Sequence, residues 1–328
     1  MTKKTFFLSV LLFSAMTGCG QKISDLKLDN KQSILNDRAF FQFPSKAKNI
    51  ARQTDIMSET PNINRETRII LDIDEQRLVF FARELYVTSN NNLLEALSIE
   101  NSEKANLKIL TNADSLHSVL ITPTTFDSTA NAILINNLYV QTQDGTIFVI
   151  GAYINPNAYK NKDDFQKLTE NVFSTLTKGN RKLNFKARIE KVPVFFNSKE
   201  KFNIVLPEGY IITKNSQYDF EVLNIQKIRD IADTNWFSLT IYTGNHPSYF
   251  YEEYDFRKSN AIKTDGQFLN KKIMWLNFKN DERQLYLKEQ QIPIDQIKEI
   301  IAHIAMLGNS QESIDKLTKL IENIKITE

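Results

Sequence analysis

Two stretches of this chain run strand, tight turn, strand and then directly into an amphipathic helix, and that order constrains the fold more than any other feature. In the first, residues 132–142 and 146–154 have strand character around Asp144-Gly145, a pair that favours hairpins because glycine tolerates positive φ. A helix is predicted over 162–176, where Phe165, Leu168, Val172, Phe173 and Leu176 recur at helical spacing. In the second, residues 268–279 and 283–291 flank the turn Asn280-Asp281-Glu282. Pro293 then opens a helix at a position where its missing N–H does no harm, with Ile297, Ile300, Ile301 and Ile304 on the buried face. Each half also opens on an aromatic-containing strand that runs into a proline, Phe41-Gln42-Phe43-Pro44 and Phe202-Asn203-Ile204-Val205-Leu206-Pro207.

Further strands fill each half. Residues 68–72 and 76–88 form a hairpin in the first, and 219–225 and 236–243 occupy the equivalent place in the second. A short helix follows each pair, over 92–99 and 248–256. Strand-rich segments with helices inserted at two fixed places predict antiparallel sheets with helices packed on them, an α+β architecture of two similar domains. The expected boundaries are a leader over 1–18, a polar tether over 19–38, a first domain over 39–185 and a second over 186–328. For the later part of the tether a short docked helix through Leu26, Leu28, Ile34 and Leu35 is equally open. The chain closes on an extra helix: Gly308 stops what precedes it, Asn309 or Ser310 caps it, and Ile314, Leu317, Leu320, Ile321 and Ile324 form its apolar stripe.

The leader places the protein. Lys3 and Lys4 precede an apolar run from Thr5 to Met16. A spanning helix needs roughly 20 residues, so this run has the length of a signal-peptide core instead. Met16-Thr17-Gly18-Cys19 resembles the lipobox of bacterial lipoproteins, with Met16 where the pattern prefers Leu. The resemblance implies cleavage between Gly18 and Cys19, lipid on the Cys19 thiol, and anchorage in a membrane; two or more acyl chains hold stably where one does not. Cys19 is the only cysteine, so no disulfide competes for it. Gly20 and Gln21 follow where, by the same resemblance, an aspartate would retain the protein in the inner membrane, which points to the outer membrane facing the periplasm.

Composition narrows the rest. Lys3 and Lys4 account for the whole excess of 41 basic over 39 acidic residues, so the remainder is neutral and has no electrostatic footprint for nucleic acid. Only 9 glycines are present, which argues against glycine-rich nucleotide loops. His117, His246 and His303 are the only histidines and none has metal-ligand spacing. His303 is expected on the polar flank of the 297–305 helix. There is no GxSxG elbow or Walker-type loop. Asp72, Asp74 and Glu75 flank a turn and read as solvated turn residues; Asp163 and Asp164 offset the positive end of a helix. No cofactor, metal or catalytic residue is therefore expected.

The strand-then-proline opening, best developed at Phe202–Pro207 with Glu208-Gly209-Tyr210 after it, resembles the PsbP/Mog-type αβα sandwich, whose bacterial members include small DcrB-like envelope lipoproteins. The resemblance covers roughly residues 39–185 and 195–307 by layout. It implies an accessory or scaffold role, through binding of a protein partner, rather than catalysis. An immunity or inhibitor lipoprotein, or a hydrolase with a non-standard site around His246, are the competing readings. The densest candidate surface is aromatic: Tyr249, Phe250, Tyr251, Tyr254 and Phe256, with His246 before them and Trp236 nearby. One helix face cannot bury them all; burial in the core and against neighbouring elements is the leading explanation, and a partner interface, where tyrosine is enriched at hot spots, is the alternative.

Overall fold

The computed structural model describes residues 22–50, 66–90, 92–101, 104–112, 114–195, 198–217, 220–295 and 299–327. The leader, the lipobox, Cys19 and Ile297 lie outside the described residues. In the first half, β1 (Leu28–Ile34) and β2 (Ala39–Pro44) form a hairpin. A large sheet follows, from β3 (Lys48–Asn49), β4 (Glu66–Ile73), β5 (Gln76–Thr88), then α1 (Leu93–Asn101), and β6 (Ala105–Ile109), β7 (Ser118–Pro123), β8 (Ile133–Gln141) and β9 (Thr146–Ile154). Its strand order is β3-β4-β5-β9-β8-β7-β6. Helix α2 (Lys162–Ser174) then leads to β10 (Thr177–Lys178), which pairs back onto β2.

The second half repeats this ground plan. Strands β11 (Arg188–Pro193) and β12 (Lys201–Leu206) open it as a hairpin. A large sheet follows from β13 (Tyr210–Gln217), β14 (Phe220–Lys227), the short β15 (Arg229–Asp230), β16 (Phe237–Gly244), the single-turn helix α3 (Phe250–Glu253), β17 (Ile262–Phe268), β18 (Lys271–Asn280), β19 (Leu285–Asp295) and β20 (Ile300–Gly308). Apart from β15 its order is β13-β14-β16-β20-β19-β18-β17. Helix α4 (Gln311–Glu322) leads to β21 (Lys325–Thr327), which pairs onto β12. In each half the amphipathic helix lies between a small three-stranded sheet and one face of a large sheet. Phe41, Phe43, Phe80, Phe165 and Phe173 meet in the first core; Phe202, Phe268, Trp275, Leu317 and Ile321 meet in the second.

This is a β-rich fold of four sheets, and it overturns the expected α+β architecture with helices packed on each sheet in PsbP/Mog fashion. The decisive segment is 293–308. Its isoleucines fit a helical period, yet 293–295 end β19 and 300–308 form β20. Strand β20 is central, between β16 and β19. Ala302, Ile304 and Met306 face one core, and Ala305 and Leu307 face another. A strand buried on both faces reads as a continuous apolar run, which periodicity alone does not separate from a helix. The helix expected over 248–256 shrinks to the single turn of α3. The closing helix is not an extra element: α4 stands where α2 stands in the first half. The latter part of the expected tether is neither linker nor helix, because β1 pairs with β2. The expected hairpin over 268–291 is present as β18 and β19, paired from Leu276 with Glu289 to Asn280 with Leu285, but it starts three residues later. Phe268 ends β17, and Leu269-Asn270, at φ 51° and 61°, make the preceding turn.

One polar group organises the first half. Arg38 leaves the β1–β2 turn fully buried, 2.7 Å from Glu84 Oε1 on β5 and 2.7 Å from Asp144 Oδ2 in the β8–β9 turn. It also donates to Thr142 Oγ1 and to the carbonyl of Arg181. Asp144 in turn accepts from Thr142 Oγ1, from the Thr146 amide and from the Leu183 amide. The two acids respond oppositely. Burial pushes the Glu84 carboxyl up to about 7, against the pull of Arg38 and Arg181. Burial would raise Asp144 too, but the hydrogen bonds from Arg38, Thr142 and Thr146 hold it well below the usual carboxylate range.

An acid with a raised folded-state pKa binds more protons folded than unfolded, so Glu84 makes stability fall as pH rises from its unfolded value near 4.5 to about 7. Glu84→Gln should flatten that dependence and raise stability at pH 7.5 by about 1–3 kcal/mol, read by thermal unfolding across the window; an unchanged slope would show that Glu84 does not titrate there. In the second half, a Cβ on Gly266 would press into the Trp275 indole, and Trp275 is fully buried. Gly266→Ala should cost about 1–3 kcal/mol and lower Tm by several degrees, followed by tryptophan fluorescence.

Candidate functional site

The aromatic stretch singled out in the sequence closes the outer face of the second large sheet. Helix α3 is held there by Glu289 of β19, whose carboxylate accepts the amides of Phe250 and Tyr251, each at 2.8 Å. The same carboxylate meets His303 Nε2 of β20 at 2.7 Å. The Tyr249 and Phe250 rings stand edge-on to the His303 imidazole, with centroids at 5.6 and 5.3 Å. Tyr251 and Phe256 both lie against Phe278, at 5.3 Å. With Leu276, Leu287, Ala305 and Leu307 these rings make a satellite core. Tyr251 is buried; Trp236, Tyr249, Tyr254 and Phe256 are half-buried; His246 is exposed in the loop after β16.

His303 is therefore not on the polar flank of a helix. It is a buried strand residue, 2 % exposed, roofed by two aromatic rings and engaged by a carboxylate that also anchors α3. That geometry gives it a structural task and no path to a substrate. His117 is exposed one residue before β7. Asp72 pairs with Arg77 at 2.6 Å, and the hydrogen bond from Arg77 lowers its pKa. Asp74 sits in the β4–β5 turn at φ 52°. Among the described residues no group of three or more His, Cys, Asp or Glu converges to hold a metal.

A concavity lies between the halves. Strand β15 leaves the second sheet and pairs in parallel with β5 of the first, Arg229 with Val87 and Asp230 with Thr88. The Ile231 amide continues the contact by donating to the Thr88 carbonyl at 2.7 Å. Here β5 has run past its pairing with β4, which ends at Arg83, and its register against β9 breaks between Glu84 and Thr88, where Tyr86 takes φ 55°. Leu183, Ile211 and Ile228, with Tyr86 and Phe185 against them, form a small apolar seam beside this junction.

Above the seam is a cleft of about 510 Å³, within the range of ligand sites. Its walls are the β5 bulge at Leu85, Tyr86 and Val87, the ends of β14 and β15, the loop over 233–236 and the first turns of α4. The 233–236 loop is fixed by Asn309, which donates to the Thr234 carbonyl and accepts from the Trp236 amide. Ser310 caps α4 by accepting from the Ser313 amide at 3.2 Å. Lys227, Arg229 and Lys316 bring positive charge to the walls, against Asp233 and Glu312. Glu312 pairs with Lys316 at 2.7 Å, and Arg229 donates to the Asp233 carbonyl. Trp236 is the one sequence-predicted site residue that lines this cleft; His246, Tyr249, Tyr251, Tyr254 and Phe256 do not. Its other walls come from strands far apart in the chain, and no local motif announces them.

No family model and no curated protein sequence matches this chain. Among solved structures, a crystal structure of MucB in complex with MucA(peri) aligns over 87% of this chain and 88% of that one, at 8% identity and a TM-score of 0.18. Overlap at that level fixes neither a fold family nor a partner for this protein.

Proposed function

We propose that this protein is a bacterial envelope lipoprotein, held in a membrane by lipid on Cys19, whose folded part binds a segment of a partner protein without catalysis. The observation that carries the binding reading is the cleft between the halves. It combines a half-buried tryptophan, the Arg229 guanidinium and a frame pinned by main-chain pairing. Trp and Arg are the residue types that dominate interface hot spots, and a cleft of this size takes a few residues of extended chain. The proposed location is the outer membrane, facing the periplasm. The membrane attachment rests on the leader alone, because no described helix is long and apolar enough to cross a membrane.

The two parts of the proposal are tested separately. Cys19→Ala should remove acyl label from the protein and move it out of the membrane pellet; a variant that still sediments with membranes would overturn the anchor. For the cleft, Trp236→Ala and Arg229→Glu should each lower recovery of a specific partner in pull-downs from solubilised membranes by tenfold or more, about 1.4 kcal/mol or greater, with Tm within a few degrees of the parent. Equal recovery by parent and variants would remove the cleft as the binding site.

A further inference from the structure

The outer face of the small sheet β11-β12-β21 is uncovered among the described residues, and its chemistry is uneven. Its outward positions are Ile189, Lys191 and Pro193 on β11, Lys201, Asn203 and Val205 on β12, and Lys325 and Thr327 on β21, as the alternating burial and register require. Ile189 and Val205 lie directly opposite one another across the strands and are 63% and 54% exposed. Lys191 and Lys325 flank Asn203 on either side, and Lys201 stands one pair further along. None of these outward positions is acidic. Glu190 belongs to the other side of β11, where it pairs with Arg188, and Glu200 lies in the connecting turn.

The equivalent face of the first half lacks this pattern. There the outward residues of β1 and β2 include Lys31, Ser33 and Gln42, and the large apolar side chain, Phe40, is covered by the Lys31 ammonium 5.0 Å from its ring centre. The second half therefore keeps two bare aliphatic side chains where the first keeps none, and surrounds them with lysines.

We infer that this face docks on an anionic lipid surface. Protein interfaces are depleted in lysine and enriched in tyrosine, tryptophan and arginine, and none of those enriched types stands at these outward positions. Lysine beside short aliphatics is what a bilayer surface accepts instead. The ammonium groups reach the headgroup phosphates on flexible stems while the methyl groups enter the boundary layer. Each lysine contributes about 1 kcal/mol near an anionic membrane. Docking by this face does not depend on Cys19, though an anchor would raise its effective concentration at the membrane.

The test uses the chain from Gly20 onward, which keeps every described element and cannot be lipidated. Co-sedimentation is measured with vesicles of phosphatidylcholine alone and of phosphatidylcholine with about a third phosphatidylglycerol. Binding is expected on the anionic vesicles only, and it should vanish near 1 M salt, where the Debye length falls to about 3 Å. Lys191→Glu, Lys201→Glu and Lys325→Glu combined should weaken partitioning at least a hundredfold, from about 1 kcal/mol per lysine removed. Ile189→Ser with Val205→Ser should weaken it several-fold; all five positions are surface-facing, so Tm should hold. No binding at low salt, or undiminished binding by the lysine variant, would overturn the assignment. A photocrosslinker at Val205 that captured protein rather than lipid in cells would assign the face to a protein partner. Because Cys19 is absent from this chain, failure of the anchor and failure of this face give separate results.

Discussion

The buried Arg38 guanidinium is the interaction on which the first half depends. It reaches three pieces of chain that no local rule joins: the β1–β2 turn, strand β5 and the β8–β9 turn. Removing the guanidinium would leave the buried Asp144 carboxylate without its counter-charge, at a cost of about 3–5 kcal/mol. Two acids share one fully enclosed cation, and they divide the work. Asp144, surrounded by donors, keeps its charge; Glu84, with fewer, is pushed toward holding a proton near neutral pH. Through the Arg181 carbonyl and the Leu183 amide the cluster also fixes the chain as it leaves for the second half.

From that exit the junction is built in main chain. Strand β5 runs on past its pairing with β4, β15 pairs with it there in parallel, and the apolar seam of Leu183, Ile211 and Ile228 fills the space beside it. Parallel pairing between distant strands gives the halves a defined relation that a linker would not. The cleft is a consequence of that geometry: two sheets meeting at one short bridge leave a gap above it, and the start of α4 with the 233–236 loop walls the gap.

In the second half the corresponding polar anchor is Glu289. It satisfies the exposed amides at the start of α3 and engages His303, so a single carboxylate sets how the aromatic stretch lies on the sheet. This explains why so many rings stand close together in sequence. The outer face of this sheet has no amphipathic helix to cover it, since α4 lies on the other face. The segment over 249–256 does the covering, and large flat rings do it in few residues.

The sequence by itself determined much of the local structure. Asp144-Gly145 marks a hairpin whatever surrounds it, because Gly145 supplies the positive φ, 80°, with which the turn closes. The spacing of Phe165, Leu168, Val172 and Phe173 marks α2, and Ser310 with Ile314, Leu317 and Ile321 marks α4, because one buried stripe leaves a 3.6-residue period. The single cysteine after an apolar run too short to span a bilayer is likewise legible without a fold. Tertiary structure decided the rest. Whether 300–308 is helix or strand depends on burial from two sides at once, which only its neighbours β16 and β19 supply. The partners of Arg38 lie about a hundred residues along the chain in one case, and electrostatic pairing at that range leaves no trace in local composition. The cleft follows the same logic: Trp236 was visible as a residue type, but its setting required β5, β15 and α4 to be brought together, and long-range packing alone does that.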